Sequence, residues 1–213
     1  MFTILTDSRC GSHMLQSLLN SHPHLHCYDE ILGNCKDDKN FFELGEREGC
    51  LVSYGNLIPG GRWAKHGYDI PEVIDRITRN PVIHLERGME ERAKSQLVHA
   101  RVARRKRIFK RANLFEPIDV DPKYENFNPD EIKRACEVFE KRKREGLAAL
   151  DEHAYKGPMA ARWLHVRYEW LCGNNELKEL SHWKSKLFCE YLEVPVTKLS
   201  CSLYKIRKYV TSN

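Results

Sequence analysis

The chain has no C-x-x-C pair, although it carries eight cysteines: Cys10, Cys27, Cys35, Cys50, Cys136, Cys172, Cys189 and Cys201. Without paired ligand spacing a zinc ribbon is excluded, and no metal is expected. No apolar run approaches the roughly 18 residues of a membrane span, so no membrane partner is expected. Met1 opens directly into a strand-like run with Arg9 close behind, which does not read as a secretory leader; the expectation is a cytoplasmic protein with reduced cysteines. There is no internal repeat and no low-complexity stretch. An excess of one charge is also missing: 35 Lys and Arg against 30 Asp and Glu leave +5. That modest surplus suits an anionic ligand better than nucleic acid, whose binding domains concentrate more charge.

What is present is an ordinary globular composition, 41% hydrophobic and 31% charged over 213 residues. The expectation is one domain, 1–213, long enough to bury most of its apolar side chains. Strands and helices alternate. Phe2-Thr6 reads as a first strand and Gly11 to Asn20 as a helix, with Met14, Leu15, Leu18 and Leu19 at helical spacing. Proline ends it in "SHPH". Leu25-Tyr28 reads as a second strand, 33–60 as loop with a short helix or two, and Arg62-Lys65 as a third strand. Glu72-Arg79 reads as a helix started after Pro71, "PVIHLER" as a β-branched strand, and about Glu90 to Arg111 as a long helix. "NPDEIKRACEVFEKRKREGLAAL" is a helix with acids early and bases late, "WLHVRYEWL" a strand and "SHWKSKLFCEYLEV" a closing helix. The alternation predicts an α/β, three-layer, P-loop-like fold with a central parallel sheet between helices.

Two stretches carry chemistry. In "FTILTDSRCGSHMLQSLLNSHP" a strand passes through a Gly-containing turn into a helix. Open amides and the dipole at a helix N-terminus attract phosphate or sulfate. Gly11 permits close approach, Arg9 supplies a forked cation and Ser12 a hydroxyl. The alternative is a plain strand-turn-helix. G-x-x-x-x-G-K-[ST] is absent, which disfavours ATP and GTP. In "PVIHLERGMEERAKSQLVHAR", Arg87 ends a strand and Ser95 follows eight residues later. Strand carboxyl ends are where ligands sit in such sheets, so the two stretches suggest one ligand with two separated anionic groups. The alternative is a surface pairing of Arg87 with Glu90 or Glu91.

These stretches resemble the sulfotransferases. "SRCGSHMLQSLLNSHP" is similar to the 5′-phosphosulfate loop of bacterial and carbohydrate-type members, R-S-G-S/T-S/T-L-L followed by L-L-N-S-H-P. "VIHLERGMEERAKS" resembles their 3′-phosphate strand and helix. "VRYEWLCGNNELKELSHWKSKLFCEYLEVP" resembles their C-terminal Y-E-D-L strand and the helix ending F-L-G-V-P. The resemblance implies transfer of a sulfuryl group from 3′-phosphoadenosine 5′-phosphosulfate (PAPS), leaving adenosine 3′,5′-bisphosphate. It places Arg9, Cys10, Gly11, Ser12, His13 and Met14 in the 5′ loop, and gives the ribose 3′-phosphate to Arg87 and Ser95. Cys10 stands where the family has serine, His13 for a hydroxyl residue, Trp170 for aspartate and Glu193 for glycine.

Sulfuryl transfer needs positioning, cations on the leaving side, which Arg9 with the Ser12 hydroxyl suits as a catalytic group, and a base for the acceptor proton. Glu30 in "CYDEIL", comparable to a glutamate of the carbohydrate-type relatives, is the first candidate base, with Asp29 a neighbour that competes. His66 is the second, and Lys65 a contact to the transferring group, after the Lys-x-His of the small-molecule branch; here the two are adjacent. The acceptor implied is a hydroxyl of a glycan or small molecule. The chain is short for the family, so completion of the acceptor site by a second subunit, a homodimer, is one expectation. The basic run with Arg101, Arg104, Arg105 and 107–111 reads first as a solvated helix. Its functional readings are an anionic acceptor or, outside the enzymes, nucleic-acid binding by helix 101–111. A degenerate P-loop kinase is the remaining alternative.

Overall fold

The computed structural model describes residues 1–30, 40–106, 126–157, 163–172 and 179–201, the side chains of 102–106 excepted. Five strands run parallel: β1 (Phe2–Thr6), β2 (His26–Tyr28), β3 (Glu48–Ser53), β4 (Val82–Glu86) and β5 (Trp163–Arg167), in the order β2-β3-β1-β4-β5. The helices are α1 (Ser12–Asn20), α2 (Tyr54–Leu57), α3 (Arg62–Lys65), α4 (Ile70–Thr78), α5 (Met89–Lys106), α6 (Pro129–His153), α7 (Tyr168–Cys172) and α8 (His182–Tyr191). The expected α/β three-layer architecture is what the chain forms.

Strand alternation sorts the core into two halves. Phe2, Ile4, Leu51, Ile83, Leu85 and Val166 turn to one face and meet Leu15, Leu18 and Leu19 of α1 and Phe188 of α8. Leu5, Cys50, Val52 and Val82 turn to the other and meet Trp63, Val73, Ile74 and Ile77 of α3 and α4 and Leu150 of α6. Burial on both faces explains why the strands read as apolar runs. The helix starts follow their caps. Asp69 accepts from the Glu72 amide at 3.4 Å ahead of α4, and Asn128 and Glu131 form a capping box for α6. The seven described cysteines are all thiols.

Three expectations are corrected. The stretch 33–60, read as loop, contains β3, the strand between β2 and β1. Its Gly49 pairs with Phe2 across the sheet, and the Phe2 ring fills the space a Cβ would take. Arg62-Lys65, read as a strand, is the single-turn helix α3; the lead-in Gly61 is packed against the carbonyls of Gly55, Ile58 and Asn56. "WLHVRYEWL" is strand only to Arg167 and turns helical at Tyr168. Of the basic run, Arg101 donates to Glu131 Oε2 at 2.7 Å and to the Asn126 carbonyl at 3.0 Å, tying α5 to the start of α6. The side chains of Arg104 and Arg105, and residues 107–111 altogether, lie outside the described residues.

A polar chain crosses the α6-facing side. The buried His84 meets the Tyr54 hydroxyl with Nε2 and His165 Nδ1 with its own Nδ1 at 3.0 Å, while Glu86, 3.8 Å away, is paired with Lys143. Burial pushes the His84 pKa down to about 4, against the pull of Glu86. The unfolded chain takes that proton near pH 6.5, so it binds more protons than the native state at mildly acid pH. Stability present above that pH is therefore lost as pH falls toward 4. Urea denaturation between about pH 7 and pH 5 is expected to show this loss, and His84→Gln to flatten it.

Candidate anion-binding site at the carboxyl edge of the sheet

Leaving β1, the chain is gripped from below. Asp7 and Arg92 are 2% and 3% exposed and form an ion pair. Arg92 Nε also donates to the Ser8 carbonyl at 2.9 Å, and Asp7 Oδ1 accepts the Ser8 amide at 2.7 Å. The Arg92 guanidinium lies 3.6 Å over the Phe139 ring of α6. Both backbone polar groups of Ser8 are thus held by side chains, one of them on α5.

From that anchor the loop turns tightly. Arg9 has φ 66° and Gly11 has φ 86°, both left-handed, with the arginine paying the larger steric penalty. The Gly11 carbonyl accepts the amides of Met14 (3.0 Å) and Leu15 (3.1 Å), starting α1. Among the described residues, nothing accepts the amides of Arg9, Cys10, Gly11, Ser12 and His13. Alternating backbone handedness with open amides makes an anion-binding concavity. Cys10 is buried and turns its thiol inward; burial raises its pKa, so it offers the loop only its amide. The Met14 amide is taken, and its sulfur lies 3.8 Å from Cys172 Sγ.

The second expected group is brought to the first. Arg87 Nη1 donates to the Arg9 carbonyl at 3.1 Å, and Arg9 Nε reaches Ser95 Oγ at 3.4 Å. The side-chain fork of Arg9 thus lies toward Ser95, while its backbone shapes the loop. The suggested pairing of Arg87 with Glu90 or Glu91 is not found: Lys94 holds both, at 2.7 and 3.6 Å. Neither Arg9 nor Arg87 forms an ion pair among the described residues, and Arg87 Nε is buried with no hydrogen-bond partner. Burial and the charge of Arg87 both lower the Arg9 pKa. Burial and the charge of Arg9 do the same for His99, one helical turn beyond Ser95. Two adjacent guanidinium groups without a counter-charge favour an anion between them.

Sequence reasoning missed Tyr168. Its ring edge occupies the place of a Gly11 Cβ, and the Arg87 guanidinium lies 4.6 Å over its face. The only sequence signal was that Gly11 needed a close neighbour. Asp7 and Arg92 were missed too; in the sequence they are merely two of many charges.

On the far side, His13 Nε2 stands 3.3 Å from Asp29 Oδ1, which also accepts the Glu30 amide at 2.8 Å. The start of α1 therefore joins the loop to the end of β2, two strands away. Burial raises the Glu30 pKa and the Asp29 charge adds to it, against Arg62 and His13. Arg62 is the α3 residue whose field reaches Glu30. Lys65 and His66, at the other end of α3, are exposed, and no hydrogen bond or ion pair joins their side chains to the loop among the described residues.

Among the described residues, no group of three or more His, Cys, Asp or Glu is placed to hold a metal ion, and no helix is long and apolar enough to cross a membrane. No family model and no curated protein matches the chain. Among solved structures it is similar to a sulfotransferase from Alicyclobacillus acidocaldarius, at 12% identity and a TM-score of 0.48, over 97% of this chain and 86% of that one.

Two outcomes are expected. Arg92→Met leaves the Asp7 carboxylate buried and alone, and urea denaturation is expected to show a loss of about 3–5 kcal/mol. Gly11→Ala drives a methyl into the Tyr168 ring at a left-handed position. It is expected to weaken binding of inorganic pyrophosphate in calorimetry by at least about tenfold, because the loop must shift.

Proposed function

We propose that the chain transfers a sulfuryl group from PAPS to a hydroxyl of a carbohydrate or small-molecule acceptor. The observation that carries this reading is the pair Arg9 and Arg87, adjacent and without counter-charge, beside five open amides. Such a site suits a ligand with two anionic groups, and the orphaned Arg87 Nε and the open amides fit one. The cofactor, when bound, supplies an activated sulfuryl group.

The chain's own residues divide the work. The amides of residues 9–13 and the Ser12 hydroxyl bind the 5′ group. Arg87, Ser95 and the Arg9 fork bind the 3′-phosphate; Ser95 accepts from Arg9 and keeps its own proton to donate. Glu30 takes the proton of the acceptor hydroxyl. Its raised pKa brings it nearer the operating pH, which is what a general base requires. Asp29 and His13 hold the Glu30 backbone against the loop. Lys65 as a contact to the transferring group and His66 as the second base belong to the same reading, and need α3 to turn its exposed end inward. Met14 and Cys10 support the loop from behind.

Adenosine 3′,5′-bisphosphate is expected to bind about ten- to a hundredfold more tightly than adenosine 5′-monophosphate in calorimetry, since Arg87 and Ser95 meet the extra phosphate. Equal affinities would remove that role, and preference for ATP with magnesium would favour a kinase. Glu30→Gln is expected to lower sulfate transfer by roughly 10²–10⁴ with bisphosphate affinity unchanged. The acid limb of the wild-type rate profile should lie above the ordinary carboxylate range and vanish in this variant. A near-inactive His66→Ala beside an active Glu30→Gln would give the base to His66.

A further inference from the structure

Helix α5 meets the anion loop along one stripe of its surface. Arg92 donates to the Ser8 carbonyl at 2.9 Å, and Ser95 accepts from Arg9 Nε at 3.4 Å. His99 is the next position of that stripe, seven residues after Arg92 and four after Ser95. Side chains four apart on a helix are neighbours, so His99 stands beside the hydroxyl that Arg9 reaches. The charge of Arg9 is felt there.

His99 has no structural duty of the kind that occupies the buried histidines. His22 is fixed between the Pro195 carbonyl and the His24 amide, and His84 between Tyr54 and His165. The His99 side chain is open to solvent and, among the described residues, forms no hydrogen bond or ion pair. The charges around it are of one sign. The loop presents Arg9, and the end of β4 presents Arg87, bonded to the Arg9 carbonyl. The carboxylates of the surrounding elements are engaged elsewhere. Asp7 pairs with Arg92, Glu131 with Arg101, and Glu90 and Glu91 with Lys94, while Glu169 accepts the Gly88 amide. Partial burial and the Arg9 charge lower the His99 pKa, which leaves the ring neutral near pH 7.

An anion placed between Arg9 and Ser95 reverses that balance. It cancels the Arg9 charge and sets negative charge beside the ring, and both changes favour the imidazolium. We propose that His99 is a further ligand of the anionic group held by Arg9 and Ser95, and that it binds that group by taking up a proton. The proton comes from water or buffer and forms the second ring N–H; no other bond changes. The two arginines attract an anion at every working pH, whereas the attraction of His99 fades as pH rises. The complex titrates at a higher pH than the protein alone. Between those two midpoints it holds a proton that the protein alone lacks, so affinity falls as pH rises through that window. Product nucleotide is thus released more readily on the alkaline side, where the Glu30 carboxylate is also ionised. Naming the anion as the 3′-phosphate of adenosine 3′,5′-bisphosphate rests on the sulfuryl-transfer reading.

The test follows the His99 ring signal of the full chain by NMR between about pH 5 and about pH 8.5, with the signal identified by its loss in His99→Gln. Saturation with adenosine 3′,5′-bisphosphate is expected to raise the midpoint by about one pH unit, and saturation with adenosine 5′-monophosphate to leave it in place. Calorimetry with the bisphosphate at about pH 5.5 and about pH 8 compares wild type with His99→Gln, a ratio from which the titration of the ligand's own phosphates cancels. That ratio is expected to favour wild type by about fivefold more at the lower pH. A midpoint unmoved by bound bisphosphate, an equal shift with the monophosphate, or a ratio independent of pH would each overturn the proposal. Bisphosphate binding with an unmoved midpoint removes the role of His99 alone. Absence of bisphosphate binding at both pH values removes the transfer reading and the His99 contact together.

Discussion

Asp7 and Arg92 are buried together under the first turn, and the geometry of the anion loop depends on that pair. A carboxylate so close behind an anion site would repel the ligand if it stood alone. Arg92 cancels its charge and, through the Ser8 carbonyl, also fixes the direction in which the chain leaves β1. The pair contributes little net stability as such, because desolvating two charges offsets their attraction. What it supplies is alignment. Arg92 lies three residues before Ser95 on α5, so the helix that grips the loop also carries the hydroxyl that Arg9 reaches. Arg87 just ahead of α5 then closes on the Arg9 carbonyl. The two halves of the candidate site are thus hydrogen-bonded to one another.

The edge of the sheet separates two electrostatic regions. Around Arg9, Arg87 and His99 positive groups crowd together: burial and the charge of Arg87 make the Arg9 proton harder to keep, and burial and the charge of Arg9 do the same at His99. Around Asp29 and Glu30 the crowding is of carboxylates, and the proton is held more firmly. His13 stands at the seam, on the first turn of α1. A reaction that leaves negative charge at one end and removes a proton at the other needs that polarity, and the β2-β3-β1-β4 order lays it out along one line.

Much of the architecture was legible in the sequence. β1 and β4 were apolar runs closed by punctuation; α1 announced itself by its period, and α4 and α6 by their opening prolines and, in α6, by acids early and bases late. The strand that escaped, β3, begins inside the charged "GEREG" and contains its Gly49; glycine reads as a loop residue until the Phe2 ring is seen lying on it. Arg62-Lys65 escaped because four residues carry too little pattern to tell a turn of helix from a strand. Arg9, Gly11, Arg87 and Ser95 were legible as residues that converge, since strand order and helix spacing bring them to one edge. Tyr168, Asp7 and Arg92 were not, because their contacts join segments about 80 residues apart or more, and no local period encodes such a meeting.

The strand order also dictates a history. β1 is the central strand and the first to be made, yet its partners are residues 48–53 and 82–86, and the sheet ends only with 163–167. During synthesis FTILT must wait, with every side chain destined for the interior and both edges unpaired. Sheets built from distant parallel pairings assemble slowly, and bare apolar strands adhere to one another meanwhile. The nascent chain is therefore most vulnerable before β4 emerges, and a ribosome-bound chaperone holding β1 until then would protect the strand from which the Arg9–His13 loop later departs.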